Sequence, residues 1–232
     1  MEINEIILLE KMRESCFRLL AACFYLPQKN ILIEENLLGN LNMGLGKVCR
    51  KAVPFSAEME KSINNYSEED LQVEYAKLFV GPFELKAPPY GSVYLDEERR
   101  VMGDSTMQVI NIYKKEGLSM SADFEELPDH IAVELEFMSY LIYKEIGALE
   151  ASDMTAAAAA VESQEVFMNK FLRSWVDIFA GKIAEGAETG FYKALAGCLS
   201  SFIYKPDIRG GLPEDLKTPA VSRPRLQNGV KS

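Results

Sequence analysis

The sequence predicts an all-α protein. Apolar residues recur at three- and four-residue steps in one segment after another, which gives each segment a single apolar stripe. Proline and glycine punctuate the ends of those segments. No run alternates with period two between turn signals, and no internal repeat is present. At 232 residues the chain can bury the core of one large domain without disulfide or metal staples. The expected organisation is an all-helical domain over 1–205, with an N-terminal part to about 125 and a C-terminal part from about 126. A flexible basic tail follows over 206–232.

Each element has its own signal. Over 4–25, Ile6, Leu9, Met12, Cys16, Leu19, Leu20, Cys23 and Phe24 share a face, and Pro27 ends the helix. Arg18 and Tyr25 lie seven apart near the stripe's edge. Residues 29–53 form one or two short helices broken near 39–46, where Gly39, Gly44 and Gly46 cluster. Pro54 and Ser56 open the next segment, with Ser56 as N-cap and Met59 and Ile63 inward. Ser67 begins a capping box closed by Asp70. The helix from Glu68 carries Leu71, Tyr75, Leu78 and Phe79 on one face. A long helix is expected over 97–116, with Val101, Met107, Ile110 and Tyr113 inward and Gly117 as the residue after its cap. Pro128 precedes a helix over 129–145 with Ile131, Leu135, Met138, Leu141 and Ile142 inward. Five consecutive alanines at 156–160 mark a strong helix over 150–172 and permit close approach by another. Trp175, Ile178, Phe179 and Ile183 continue its stripe past a kink at Ser174. The last helix covers 191–204. Beyond it the chain turns rich in Pro and Gly, with five basic against three acidic residues.

Composition narrows the function. Hydrophobic residues make up 48% of the chain and charged residues 26%, with a net charge of −10. Nucleic acid is excluded as a partner, because binding it takes clustered basic residues; a cationic peptide is favoured at encounter. The four cysteines form no CxxC pair, so they read as buried free thiols, with no metal site and a reducing compartment. The chain opens MEINEIILLE without the basic start of a signal peptide, and no apolar run approaches the roughly 20 residues of a membrane helix. A cytoplasmic location follows as the expectation, with no cofactor implied.

The stretch 78–94, LFVGPFELKAPPYGSVY, is the most informative. It has three prolines and two glycines, so it cannot be helical throughout. Yet it carries eight large apolar or aromatic residues, more than a solvated loop needs. One reading is a stiff aromatic ridge, cheap to order on binding; the other is a proline-rich connector packed into the core. His130 is the chain's only histidine, at a helix start beside Asp129 and four before Glu134. One histidine cannot supply a di-iron site, and no GxSxG elbow accompanies it. Asp129 and His130 could serve a small all-α enzyme as an acid–base pair. They could equally be structural.

LFVGPFELKAPPYGSVYLD, then VMGDST, then LPDHIAVELEFM resemble in order and spacing the signatures of the TorD/DmsD family of redox-enzyme maturation chaperones. RLLAACFYLP near the start, and FLRSWVDIF and FYKALAGCLSSFI near the end, fit as well. The resemblance implies an all-helical cytoplasmic chaperone and no catalysis. Its partners would be the twin-arginine signal peptide and the apo catalytic subunit of a molybdopterin-containing oxidoreductase, held until cofactor insertion. A homodimer formed by domain swapping stays open. The family's peptide-binding residues carry over onto Arg18, Tyr25, Tyr75, Leu78, Phe79, Phe83, Pro88, Pro89, Tyr90, Asp129 and His130. A twin-arginine peptide asks for an apolar groove with acids at one end. The expectation is that residues 78–94 form its wall, Asp129, Glu134 and nearby acids supply the charge, and His130 tunes it near neutral pH. The groove would lie between the N-terminal helices and the 128–145 helix. Tyr75 and Tyr90 stand where many members carry heavier aromatics, and Ser174 where members often carry His. Ser222, Arg223, Pro224 and Arg225 crudely resemble a basic client segment.

Overall fold

The structure, a computed structural model, describes residues 2–81, 85–119 and 126–204. Phe83 and the predicted tail 206–232 lie outside them. Among the described residues there are eleven α-helices and no strand beyond one isolated bridge. The long helices α1 (Ile3–Ala22), α8 (Ile131–Glu150) and α9 (Met154–Phe167) form one layer, with α3 (Leu37–Val48) against the other side of α1. The helices α4 (Val53–Ser62), α10 (Arg173–Gly186) and α11 (Gly190–Ile203) close the core. Shorter helices α2 (Lys29–Glu34), α5 (Glu68–Tyr75), α6 (Ser92–Leu95) and α7 (Asp104–Lys115) complete the chain. The main apolar core runs from Cys16 to Ile203, and a small second cluster joins Ile6, Leu149, Ala157 and Val161. No helix among the described residues is long and apolar enough to cross a membrane.

The stripes fold as their periodicity requires. Ile131, Leu135, Met138, Leu141 and Ile142 are all fully buried along α8, as are Met59, Ile63 and Leu71 on their helices. The Ser67 capping box is present: Ser67 Oγ accepts the Asp70 N–H at 3.0 Å and Asp70 accepts the Ser67 N–H at 2.9 Å. Gly117 takes φ +79° just past α7, as a post-cap glycine should. The four cysteines are buried and unbridged.

Several boundaries differ from expectation, each for a physical reason. Residues 39–46 do not break the chain but lie within α3. Gly44 serves approach, because a Cβ there would stand 2.7 Å from the Cys16 sulfur of α1. Ser56 is not a cap. The helix begins at Val53 with proline in its first turn, and the Ser56 hydroxyl lies 3.0 Å from the Val53 carbonyl. The helix expected over 97–116 starts only at Asp104, since Arg99 and Met102 adopt φ +49° and +61°. Val101 and Met107 are exposed, whereas Tyr113 is buried as expected and Val109 is buried with it. Ile178 is exposed too. The distortion expected at Ser174 is a π-turn one turn earlier, Met168–Leu172.

One polar cluster is sealed between α1, α8 and α9. Arg13 pairs with Glu10 at 2.5 Å and with Glu145 at 3.2 Å, and donates to Gln164 at 2.6 Å; Gln164 in turn donates to Glu145 at 2.8 Å. One guanidinium thus faces two buried carboxylates, and Glu145 Oε1 lacks a partner. Burial, and then the Glu10 charge, raise the Glu145 pKa. The folded state therefore holds a proton that the unfolded state releases above its ordinary carboxylate pKa, so stability falls as pH rises toward neutrality. Arg13→Ala is expected to cost about 3–5 kcal/mol in chemical denaturation, since it strands buried charge. Glu145→Gln should flatten the fall of stability between about pH 5 and about pH 7.

Candidate functional site

The ridge and the 128–145 helix meet through backbone. The Ile131 N–H donates to the Pro89 carbonyl at 2.8 Å, and the Gly91 N–H to the Asp129 carbonyl at 2.9 Å, an antiparallel bridge between Tyr90 and His130. Asp129 Oδ2 accepts the Ser92 N–H at 2.8 Å, holding the start of α6. His130 caps α8: its Nδ1 accepts the Ala132 N–H at 3.2 Å. An accepting Nδ1 places the neutral ring's proton on Nε2, which faces Glu126 at 3.8 Å. Burial lowers the His130 pKa to about 4. The ring is therefore neutral at pH 7 and cannot tune charge near neutrality, contrary to expectation.

The residues singled out by sequence divide by depth. Tyr75, Leu78, Phe79, Pro89, Asp129 and His130 are buried. Tyr75 and Phe79 belong to an aromatic chain with Phe24, Phe179 and Tyr192, and the Tyr75 hydroxyl donates to the Phe24 carbonyl at 3.3 Å. That bond fixes the turn that presents Tyr25, which lies beyond the helix because α1 ends at Ala22. Leu78 accepts the Ala87 N–H through its carbonyl at 2.9 Å, folding the ridge back on its own helix. Pro88, Tyr90 and Tyr25 are half-buried and reach the surface. Arg18 is exposed and lines a separate groove between α1 and α3 with Met12, Leu19, Met43 and Lys47.

Around His130 the exposed parts converge. The Tyr25 ring stacks on it at 6.2 Å and the Tyr90 ring meets it edge-on at 5.4 Å. The Tyr25 hydroxyl donates to Glu136 at 3.0 Å and the Tyr90 hydroxyl to Glu126 at 3.4 Å. Glu134, by contrast, is fully buried and accepts from Trp175 Nε1 at 3.1 Å. It does not pair with His130, and its burial raises its pKa well above the carboxylate range. Trp175 also stacks on Tyr94 at 5.4 Å, and the Tyr94 hydroxyl donates to the Pro88 carbonyl at 2.8 Å. A Cβ on Gly91 would lie 3.2 Å from Trp175 Nε1 and 3.4 Å from Glu134 Oε1, so the backbone itself is packed here. Glu126 and Glu136 were covered in the sequence only as unnamed nearby acids, and Trp175 was not a site candidate. The helical period could have separated the two glutamates of α8, since Glu134 falls on the inward stripe of Ile131 and Met138 and Glu136 on the opposite side.

These contacts leave the acid–base reading without an active site. Asp129 and His130 are each 1% exposed and already bonded to backbone amides. Residues 45–181 match the family described as nitrate reductase delta subunit. The chain is 34% identical over 166 residues to the chaperone protein TorD of Photobacterium profundum, covering 68% of this chain and 74% of that one. The chain belongs to the TorD/DmsD family. It is 28% identical over 152 residues to the probable Tat proofreading chaperone DmsD of Haemophilus influenzae, 62% of this chain and 66% of that one. A crystal structure of a putative redox enzyme maturation protein from Archaeoglobus fulgidus superposes with a TM-score of 0.53 at 26% identity, over 83% of this chain and 94% of that one. Like its TorD/DmsD relatives, the chain is a chaperone and not a catalyst.

Burial makes separable predictions for this TorD/DmsD-type chain. Leu78→Ala should cost about 2–5 kcal/mol of stability, read by denaturant unfolding, because it opens a cavity rather than trimming a surface. His130→Ser keeps a capping oxygen and removes the titrating ring. A ring with a folded pKa near 4 destabilises the fold as pH drops below its unfolded value of about 6.5. The loss of stability between about pH 6.5 and about pH 4 should therefore be shallower in His130→Ser than in the wild type.

Proposed function

We propose that this chaperone works in the cytoplasm, where it binds the twin-arginine signal peptide of a molybdopterin-containing oxidoreductase. It holds the apo catalytic subunit until the cofactor is inserted, and export follows. The observation that carries the reading is the convergence of Tyr25 and Tyr90 on the His130 ring, over a backbone bridge that joins the two signature segments, with Pro88 half-buried two residues before Tyr90. Half-buried tyrosines on a rigid support are suited to peptide capture, since they offer large contact area with little freedom left to lose. The buried candidates act at one remove: Tyr75, Leu78, Phe79, Pro89, Asp129 and His130 hold the face in shape. Pro88, Tyr90 and Tyr25 touch the peptide. Support from the relatives is their naming as TorD and as Tat proofreading chaperones.

Co-expression with a molybdoenzyme precursor tests the proposal. The chain should co-purify with the precursor, and deleting the signal peptide should sharply reduce the yield of complex. An equal yield without the signal peptide would refute peptide capture. Tyr25→Ala and Tyr90→Ala are each expected to weaken the isolated peptide's binding by about tenfold or more in calorimetry, the range of a peripheral aromatic anchor, while the unfolding midpoint moves little.

A further inference from the structure

The proposed face has two unlike ends, and Tyr25 stands between them. Its ring lines a shallow apolar pocket of about 130 Å³ with Leu26, Pro27, Ile31 and Leu37. Leu26 is 56% exposed at its edge. The Tyr25 hydroxyl points the other way, onto Glu136 at 3.0 Å. Tyr90 repeats the pairing, with its ring edge-on to His130 at 5.4 Å and its hydroxyl on Glu126 at 3.4 Å. The site thus contains two tyrosine–glutamate pairs whose rings both contact the His130 imidazole, and among the described residues the apolar pocket is lined by Tyr25 and not by Tyr90. Asp129 and Glu134 are sealed in the core, so among the described residues the acids that meet these tyrosines are Glu126 and Glu136.

A guanidinium is a planar fork that pairs with a carboxylate and lies flat on an aromatic face. Each tyrosine–glutamate pair offers both. Consecutive residues of an extended peptide point to opposite sides, so two adjacent arginines call for two separate acceptors, one for each tyrosine–glutamate pair. Resting on the function proposed above, we propose that Glu126–Tyr90 receives the first arginine of the twin-arginine pair and Glu136–Tyr25 the second. The apolar run that follows the arginines then lies over Leu26 and Ile31. Tyr25 sets this direction, because its one side chain serves the second arginine and the start of the apolar pocket.

The test uses the full-length chain and the synthetic signal peptide of the client captured by co-expression, in three forms: native, first arginine to Gln, and second arginine to Gln. Titration calorimetry is run on wild type, Glu126→Gln and Glu136→Gln. Each protein variant should bind the native peptide about tenfold or more weakly, with a shallower salt dependence. In double-mutant cycles Glu126→Gln should couple with the first arginine and Glu136→Gln with the second. Leu26→Ser should weaken all three peptides alike. Crossed coupling would overturn the direction, and unchanged affinity in both Gln variants would overturn the acidic pair while leaving peptide capture standing. Failure of the wild type to bind the native peptide would sink both readings. Equal unfolding midpoints of wild type and Gln variants show that affinity, not folding, is being read.

Discussion

The organisation of this molecule depends on one short backbone pairing, between Pro89–Gly91 and Asp129–Ile131. It joins segments some forty residues apart in sequence, and each side is already constrained before they meet. The prolines restrict the ridge to extended backbone, and the start of α8 is set by the His130 cap. Two main-chain hydrogen bonds therefore suffice to fix the register. Asp129 adds a third bond through its carboxylate, so the start of α6 and the start of α8 are held by one residue. Without this junction neither Tyr90 nor Glu126 would have a defined place beside Tyr25.

Around the junction the polar groups are spent on structure. Glu134 holds Trp175, Trp175 stacks on Tyr94, and Tyr94 bonds the carbonyl of Pro88. The chain of contacts passes from α8 through α10 and back to the ridge. Glu74 plays a similar part farther off, accepting the Thr189 N–H at 2.9 Å ahead of α11. Asp129 and Glu74 accept backbone amides and Glu134 an indole N–H; such donors are how acids survive in an apolar interior. At the candidate face, Glu136 and Glu126 instead accept tyrosine hydroxyls.

Much of the fold was legible because helical stripes report burial directly. The inward residues of α8, the Ser67–Asp70 box and the post-cap Gly117 follow from local chemistry alone. What local chemistry could not show was tertiary. Gly44 looks like a helix breaker until Cys16 is seen against it, and the left-handed backbone at Arg99 and Met102 leaves no trace in residue type. At the site, the two readings of residues 78–94 prove compatible: Leu78, Phe79 and Pro89 are packed connector, and Pro88 and Tyr90 are surface. Periodicity assigns depth within a helix but not within an irregular segment, so the division could not be made beforehand. Asp129 and Glu134 were expected to supply charge because a twin-arginine peptide asks for acids at one end of its groove, and only the backbone amide and the indole facing them reveal otherwise.

The crowding at Gly91 separates what this surface can vary from what it cannot. Even an alanine methyl there would press on Trp175 and Glu134 and make them give by a few tenths of an ångström, so the support resists change. Leu26, Pro88, Tyr90, Glu126 and Glu136 border solvent and meet no such barrier. A lineage adapting to a new client would thus rewrite the rim while inheriting the frame, and recognition could diverge at little cost in foldability.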